Sequence, residues 1–489
     1  MSKTYAGARL RRLREERRMS QAELARALAI SPSYLNQMEH DARPLTVPVL
    51  LRLTETFGVD PGFFAEHDTG RLLADLREAL ADDLSAARVS PGDLSALASR
   101  LPAVADVLLD LGRRNQALTE RLADVADGRG GLPDLTRQRA PHEEIREFFY
   151  RRRNYLHTTD LAAERLAGAL GIRPGEVRTA LARRLSDHHH VRIDTVPGPS
   201  TGTGTGAGPG AGAAGDRLHH YDPVRRTLWL SSRLRPGQQA FRMATQLALL
   251  EHGEGISELA AEDYEPDSPT WSLARIGIAN YFAAALVLPY EPFHTAAEHV
   301  RYDIERLTGL FGLGYETVCH RLSTLQRPRH RGVPFSFVRV DRAGNLSKRQ
   351  SATGFHFSRA GGTCPLWNVY EAFASPGRIH VQVAAMPDGR RHLWTARAVT
   401  RHGGGWGEPG KTYAIGLGCE LRHAARLVYS DGLDLGNAAA ATPIGMGCRV
   451  CERLECPQRA APPLGRALAV DENTSTFVPY TVVAEDRRP

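Results

Sequence analysis

The strongest constraint on how this chain can fold is a short run near its end, Cys448-Arg449-Val450-Cys451-Glu452-Arg453-Leu454-Glu455-Cys456-Pro457. Three of the six cysteines fall inside nine residues, spaced C-x2-C-x4-C and closed by a proline. Thiolates crowded in this way converge on one soft ion rather than fill a core, and a Cys-Pro end recurs in iron–sulfur ligand loops. The segment must therefore fold around a centre, predicted to be an iron–sulfur cluster of the 4Fe–4S type. Structural zinc is the alternative, because thiolate ligands alone do not choose the metal. A fourth ligand is needed. Cys364, in the turn Gly-Gly-Thr-Cys-Pro, is favoured over Cys419 in Leu-Gly-Cys-Glu, and Cys319 reads as a core residue.

With 489 residues the chain has room for two to four domains. The first residues, Met1 to Tyr5, lack the apolar stretch of a signal peptide, and no apolar run approaches the ~18 residues of a membrane span. The expected location is the cytoplasm, where clustered thiols read as metal ligands rather than disulfides. A net charge of +7 permits a nucleic-acid partner without demanding one. Lysine occurs only at positions 3, 348 and 411, all other basic charge being arginine.

The N-terminal end supplies the other half of the argument. Residues 5–68 read as five short helices. Ser20 with Glu23 three positions on forms a capping box, and Ser31 followed by Pro32 starts the next helix after a tight turn at Ala29-Ile30. Two helices so joined, the second running Ser-Pro-Ser-Tyr-Leu-Asn-Gln-Met-Glu, form a helix-turn-helix that resembles the Cro/repressor-type DNA-binding family over about 60 residues. The resemblance places Ser31, Ser33, Tyr34, Asn36 and Gln37 at bases or nearby phosphates of a double-stranded operator, with Gln21 and Arg43 on the backbone. Asn and Gln match the adenine edge in the major groove.

Residues 70–190 read as helical. Val104, Leu108, Leu111, Asn115, Leu118, Leu122 and Val125 alternate by four and three residues, a heptad seam with one polar residue that suits self-association. One helix packed within a bundle gives the same pattern. Residues 197–215 are almost wholly Gly, Ala, Thr, Pro and Ser and are expected to be a disordered insertion within one domain, because strands are predicted on either side. His188-His189-His190 reads as the start of an exposed strand rather than as a ligand tract.

Two amphipathic helices follow, at 240–251 and 279–289. Their order and wording are similar to the ImmA/IrrE-type metallopeptidase domain, in which the first helix carries H-E-x-x-H. Zinc hydrolysis needs two histidines one turn apart with a glutamate base. Here the corresponding residues are Thr245-Gln246-Leu247-Ala248-Leu249, and Ile276, Gly277 and Ile278 precede Ala279 where the third ligand would lie. The fold is implied and the activity is not. Tyr281 and Phe282 are expected either to line a vacated ligand cleft or to be core.

The remainder reads as an α+β region with strands at 333–340, 379–385 and 393–398. Lys348 and Arg349, on a turn with Ser347 and Ser351, form with Arg339 a predicted phosphate-binding group, a solvated loop being the alternative reading. Three stretches, Val338 to Ala352, Gly362 to Phe373 and Cys448 to Arg453, resemble the short-chain fatty acyl transcriptional regulator family, and the order of regions fits nearly the whole chain. That resemblance implies a DNA-binding regulator of short-chain fatty acid and acyl-CoA metabolism with an acyl-CoA effector, an iron–sulfur cluster and assembly into a homo-oligomer (dimer or tetramer), and no enzymatic step. The competing readings are a zinc-dependent peptidase-type regulator and an iron or redox sensor without a small-molecule effector. The predicted fold is mostly α with an α+β C-terminal half: a helix-turn-helix domain at 1–68, a helical linker at 69–140, a peptidase-like domain at 141–330 lacking its zinc site, and a cysteine domain with a small sheet at 331–489.

Overall fold

A computed structural model describes residues 7–17, 19–40, 42–57, 72, 73, 75, 76, 79, 89, 91–102, 104–112, 115, 141–196, 218–352, 355, 363–401, 410–463 and 468–482. The chain divides into two units. One holds the N-terminal 138 residues with 358–361 and 447–489, the other holds 139–357 and 362–446.

In the first unit, helices α1 (Gly7–Glu16), α2 (Gln21–Ala27), α3 (Pro32–Glu39) and α4 (Val47–Phe57) close over Leu10, Leu13, Leu24, Leu28, Leu35, Met38 and Leu53. The caps form as the sequence predicts. Ser20 and Glu23 make the reciprocal capping box, and Ser31 accepts from the Tyr34 amide with Pro32 at the first helical position. Helices α1 and α3 cross at Gly7, where any Cβ would lie 2.5 Å from the Met38 and Glu39 carbonyl oxygens. The fifth predicted helix lies outside the described residues. Helix α5 (Pro91–Arg100) and the helical residues 104–112 bury Ala98, Ala105 and Leu109 against Leu76. Val104, Val107 and Leu111 stay exposed on the same helix. Leu118, Leu122 and Val125 of the expected seam lie outside the described residues.

The second unit begins with α6 (Pro141–Arg151), α7 (His157–Ala169) and α8 (Val177–His189). A three-stranded sheet follows, β1 (Arg192–Val196), β2 (His219–Asp222) and β3 (Thr227–Ser231), in the order β1-β3-β2. β1 pairs in parallel with β3, so the segment between β1 and β2 interrupts one domain, as the strands predicted at its flanks require. The insertion itself, 197–215, lies outside the described residues. The histidine run corrects the expectation of a strand start: it closes α8, with His190 left-handed (φ 53°) as its C-cap.

Helices α9 (Pro236–Glu251), α10 (Gly253–Ala261), α11 (Pro269–Val287), α12 (Tyr290–His299), α13 (Ile304–Phe311) and α14 (Tyr315–Leu322) build the main core around Leu247, Ile278, Phe282, Phe293 and Leu322. Among the described residues no single helix is long and apolar enough to cross a membrane. The second sheet contains β4 (Ser336–Val340), β5 (Leu346–Ser351), β6 (His380–Ala385), β7 (Arg391–Arg401), β8 (Lys411–Glu420) and β9 (Thr442–Pro443), ordered β5-β4-β8-β7-β6-β9. β8 is central yet escaped the sequence reading because Gly416 and Gly418 dilute its apolar pattern. Their role is steric: a Cβ on Gly418 would stand 2.4 Å from the Trp394 ring.

Candidate functional site

On α3, alternation at helical period separates two faces. Leu35, Met38 and Glu39 are buried, while Ser33, Asn36 and Gln37 are exposed. The inward Glu39 accepts from Arg14 Nε at 2.8 Å and from Gln21 Nε2 at 2.7 Å, and Gln21 also donates to Asn36 Oδ1 at 3.1 Å. Gln21 thus fixes α2 to α3 and presets the Asn36 amide. Ser31 is engaged as the cap, and the Arg43 guanidinium lies over the half-buried Tyr34 ring, 5.4 Å from its centroid. The outward set left to meet a groove is Ser33, Asn36 and Gln37, flanked by Arg43.

Where a zincin holds its ion, the structure is packed. Thr245 Oγ1 bonds to the Phe241 carbonyl at 2.9 Å and to Asn280 Oδ1 at 3.3 Å, joining α9 to α11. A Cβ on Gly277 would touch the Phe149 ring at 3.0 Å. Tyr281 and Phe282 are core residues rather than a ligand wall. The Tyr281 hydroxyl donates to Asp160 at 2.9 Å and accepts from the Leu156 amide at 3.2 Å, and Phe282 packs on His252 with ring centroids 4.6 Å apart. Long apolar helices gave no sequence signal separating a cleft wall from a core.

The predicted cationic turn needs correction. Lys348 and Arg349 lie on strand β5, so successive side chains leave on opposite faces. Arg349 reaches Glu143 on α6 at 2.8 Å. Lys348 stands opposite Arg339 in the β4–β5 register and lies over the Phe337 ring. On that face Glu316 of α14 accepts from Arg339 at 2.8 Å and from Arg401 at 2.6 Å. Burial would raise the Glu316 carboxyl, but Arg339, Arg401 and Lys348 hold it below its ordinary value. Burial pushes Lys348 down to about 8, with Glu316 opposing and Arg339 assisting. Arg242 of α9 stands beside Arg401, its pKa lowered by burial and by that guanidinium. Among the described residues no carboxylate pairs with Arg242. His219 and His320 border the cluster and are both kept toward the neutral form by burial and by these cations. Three cations face one carboxylate and a fourth stands beside them, an excess of positive charge suited to an anion. Sequence reasoning found Arg339 and Lys348 but missed Arg242 and Arg401, which lie nearly a hundred residues or more from them in one case and sixty in the other (roughly, by numbering), beyond any local pattern.

The cysteines divide by environment. Cys319 is fully buried in the main core, and burial pushes its thiol far up. Cys419 sits on β8 in the same core, pushed up to about 12 chiefly by burial. Cys364 is buried beside Trp367 and Phe355. Cys448, Cys451 and Cys456 are partly exposed on a loop without regular structure. Buried Arg459 organises that loop, donating to the carbonyls of Cys448 at 2.5 Å, Cys451 at 2.8 Å and Arg453 at 2.7 Å, while the Ala460 amide points at Cys448 Sγ at 3.3 Å. Accessible, clasped thiols suit a metal centre, whereas Cys319 and Cys419 do not.

Comparison with known proteins agrees with this layout. Residues 6–63 match a helix-turn-helix domain, 210–323 an IrrE N-terminal-like domain and 324–480 the C-terminal region of short-chain fatty acyl coenzyme A regulators. The chain is 55% identical over 490 residues to the HTH-type transcriptional regulator RamB of Mycobacterium tuberculosis, covering 99% of both proteins. It belongs to the short-chain fatty acyl coenzyme A regulators. It is also 46% identical over 484 residues to the regulator PrpR of M. tuberculosis, covering 98% of this chain and 96% of that one. Identity to a propionyl-CoA carboxylase regulator of Cereibacter sphaeroides is 42% over 481 residues, covering 98% and 99%. A solved M. tuberculosis transcriptional regulator superposes with a TM-score of 0.64 at 48% identity, covering 70% of this chain and all of that one. The family member described here is therefore a DNA-binding transcriptional regulator and not a peptidase.

Proposed function

We propose that this regulator binds operator DNA through the exposed face of α3 and answers to a short-chain acyl-CoA held at the cationic cluster of the second unit. The observation that carries the reading is the imbalance around Glu316, where Arg339, Lys348 and Arg401 share one carboxylate and Arg242 stands beside Arg401 without a carboxylate of its own among the described residues. A CoA ester carries several phosphate oxygens, and charge-assisted donors are what such a ligand requires. Names of the relatives point the same way, one being a propionyl-CoA carboxylase regulator. Regulation is then linkage: an effector that binds one arrangement of the molecule more tightly shifts operator affinity by the same free energy. The exposed residues Val104, Val107 and Leu111 support self-association through the 69–140 region, an isologous contact between copies being the common solution.

An iron–sulfur cluster fits the clasped thiols of Cys448, Cys451 and Cys456. Cys364 remains the proposed fourth ligand, because Cys419 lies mid-strand in an apolar core. Such a cluster would supply a rigid, thiolate-bound centre for the loop; the chain's part is to keep the sulfurs accessible and Arg459 beneath them. Calorimetry with anaerobically prepared protein tests the effector: propionyl-CoA should bind, and free CoA should retain part of the affinity through its phosphates. Absence of heat and of thermal stabilisation with either ligand at millimolar concentration removes the acyl-CoA reading and leaves the cluster-only regulator.

A further inference from the structure

Helix α8 ends at His189 and helix α9 ends at Glu251, and these helices pack together. His189 Nε2 lies 2.7 Å from Glu251 Oε1, and the rings of His188 and His189 stand edge to face with centroids 4.9 Å apart. One ligand-capable atom from each of His188, His189 and Glu251 lies within 4.8 Å of the other two, the only such group among the described residues. We propose that His188, His189 and Glu251 form a binding site for a divalent transition ion of the zinc type, built from imidazole and carboxylate rather than thiolate.

The chemistry suits that class. Two imidazoles and a carboxylate are borderline ligands preferred by zinc and its neighbours and not by magnesium or calcium. Three such ligands on a tetrahedral ion stand about 3.4 Å apart, given metal–ligand bonds of roughly 2.0–2.2 Å. To bind, His188, the exposed member of the three, turns from its edge-to-face contact with His189 to close the present spread. Both helices also present their C-terminal ends here, and the partial negative charge of each favours a cation. Arg184 is the competing group: its Nε donates to Glu251 Oε1 at 2.7 Å. Arg184 and His189 both meet Glu251 at Oε1, so an ion would approach through Oε2. The site is distinct from the position a zincin would use, at Thr245, Gln246 and Leu249, and it would fasten the end of the helix that carries Arg242.

Equilibrium dialysis of the full chain against zinc chloride, followed by elemental analysis, tests this. His188→Ala should hold one equivalent less than the unaltered protein, while Cys451→Ser should retain that equivalent. Zinc should also raise the melting temperature of the unaltered protein more than that of His188→Ala, as a ligand selective for the folded state does. Because His188 is exposed, its loss does not threaten folding. Equal zinc content and equal thermal shifts in the unaltered protein, His188→Ala and Glu251→Gln would overturn the site and leave the three residues as a helix-end staple.

Discussion

Two groups of arginines in the second unit look alike by composition and differ in charge balance. In the first, Asp160 of α7 accepts from Arg321 at 2.6 Å, from Arg327 at 3.2 Å and from Tyr281, and Arg327 reaches Glu164 at 2.7 Å and Glu291 at 3.1 Å. Asp160 and Arg321 are wholly buried, and Arg321 spends its Nε on the Leu288 carbonyl at 2.9 Å. Despite burial, Asp160 keeps the Arg321 guanidinium charged. In the second group, Glu316 faces Arg339, Lys348 and Arg401, and Arg242 stands beside Arg401. In the first group each cation meets at least one carboxylate. The second carries an excess of positive charge that an added anion would relieve. Balanced buried charge specifies a fold, whereas unbalanced charge that folding tolerates marks a place for a ligand.

The largest expected effect lies in the first group. Asp160→Ala strands Arg321 in the core and should cost about 3–5 kcal/mol of folding stability, read by denaturant unfolding. A loss below about 1 kcal/mol would show that the network is not the paired unit described, since surface pairs have that value. In the second group Arg401→Ala or Arg242→Ala should leave stability near that of the unaltered protein while weakening acyl-CoA binding by about 1.5–3 kcal/mol, the value of a charge-assisted hydrogen bond. If either variant unfolds the protein yet binds CoA normally when folded, the contrast between the groups collapses.

A comparable or slightly smaller effect belongs to the reader. Gln37→Ala should cost about 1–3 kcal/mol in operator binding and relax selectivity at one base, measured by fluorescence anisotropy, with acyl-CoA binding by the free protein unchanged. The smallest effect is a pH dependence. Lys348 sits at about 8 in the folded chain against an ordinary 10.5. Between those values the unfolded state holds more protons than the folded one, so the stability of the ligand-free protein should rise with pH across that window. A bound phosphate favours the ammonium form, so acyl-CoA affinity should fall as pH passes 8. Lys348→Met should flatten both profiles, and persistence of either slope in that variant would assign it to another group.

Local chemistry was legible in the sequence. Ser20 with Glu23, and Ser31 with Pro32, announce helix starts because their capping partners lie within four residues. The loss of zinc chemistry at Thr245 and Gln246 and the spacing of Cys448, Cys451 and Cys456 are likewise local facts. Partners far apart in the chain were not legible. Neighbouring Lys348 and Arg349 read as one group until strand alternation sent them to opposite faces, Arg349 to Glu143 and Lys348 toward Glu316. Arg242 and Arg401 became a cluster, Asp160 the hub of a buried network, and His188 a neighbour of Glu251 only through packing of helices and strands. The sequence by itself determined where the capped helices start and which catalytic groups are missing, since short-range hydrogen bonds and ligand identity decide both. Tertiary structure alone decided which charges share a surface, because electrostatic free energy depends on distance and burial in space and not on separation along the chain.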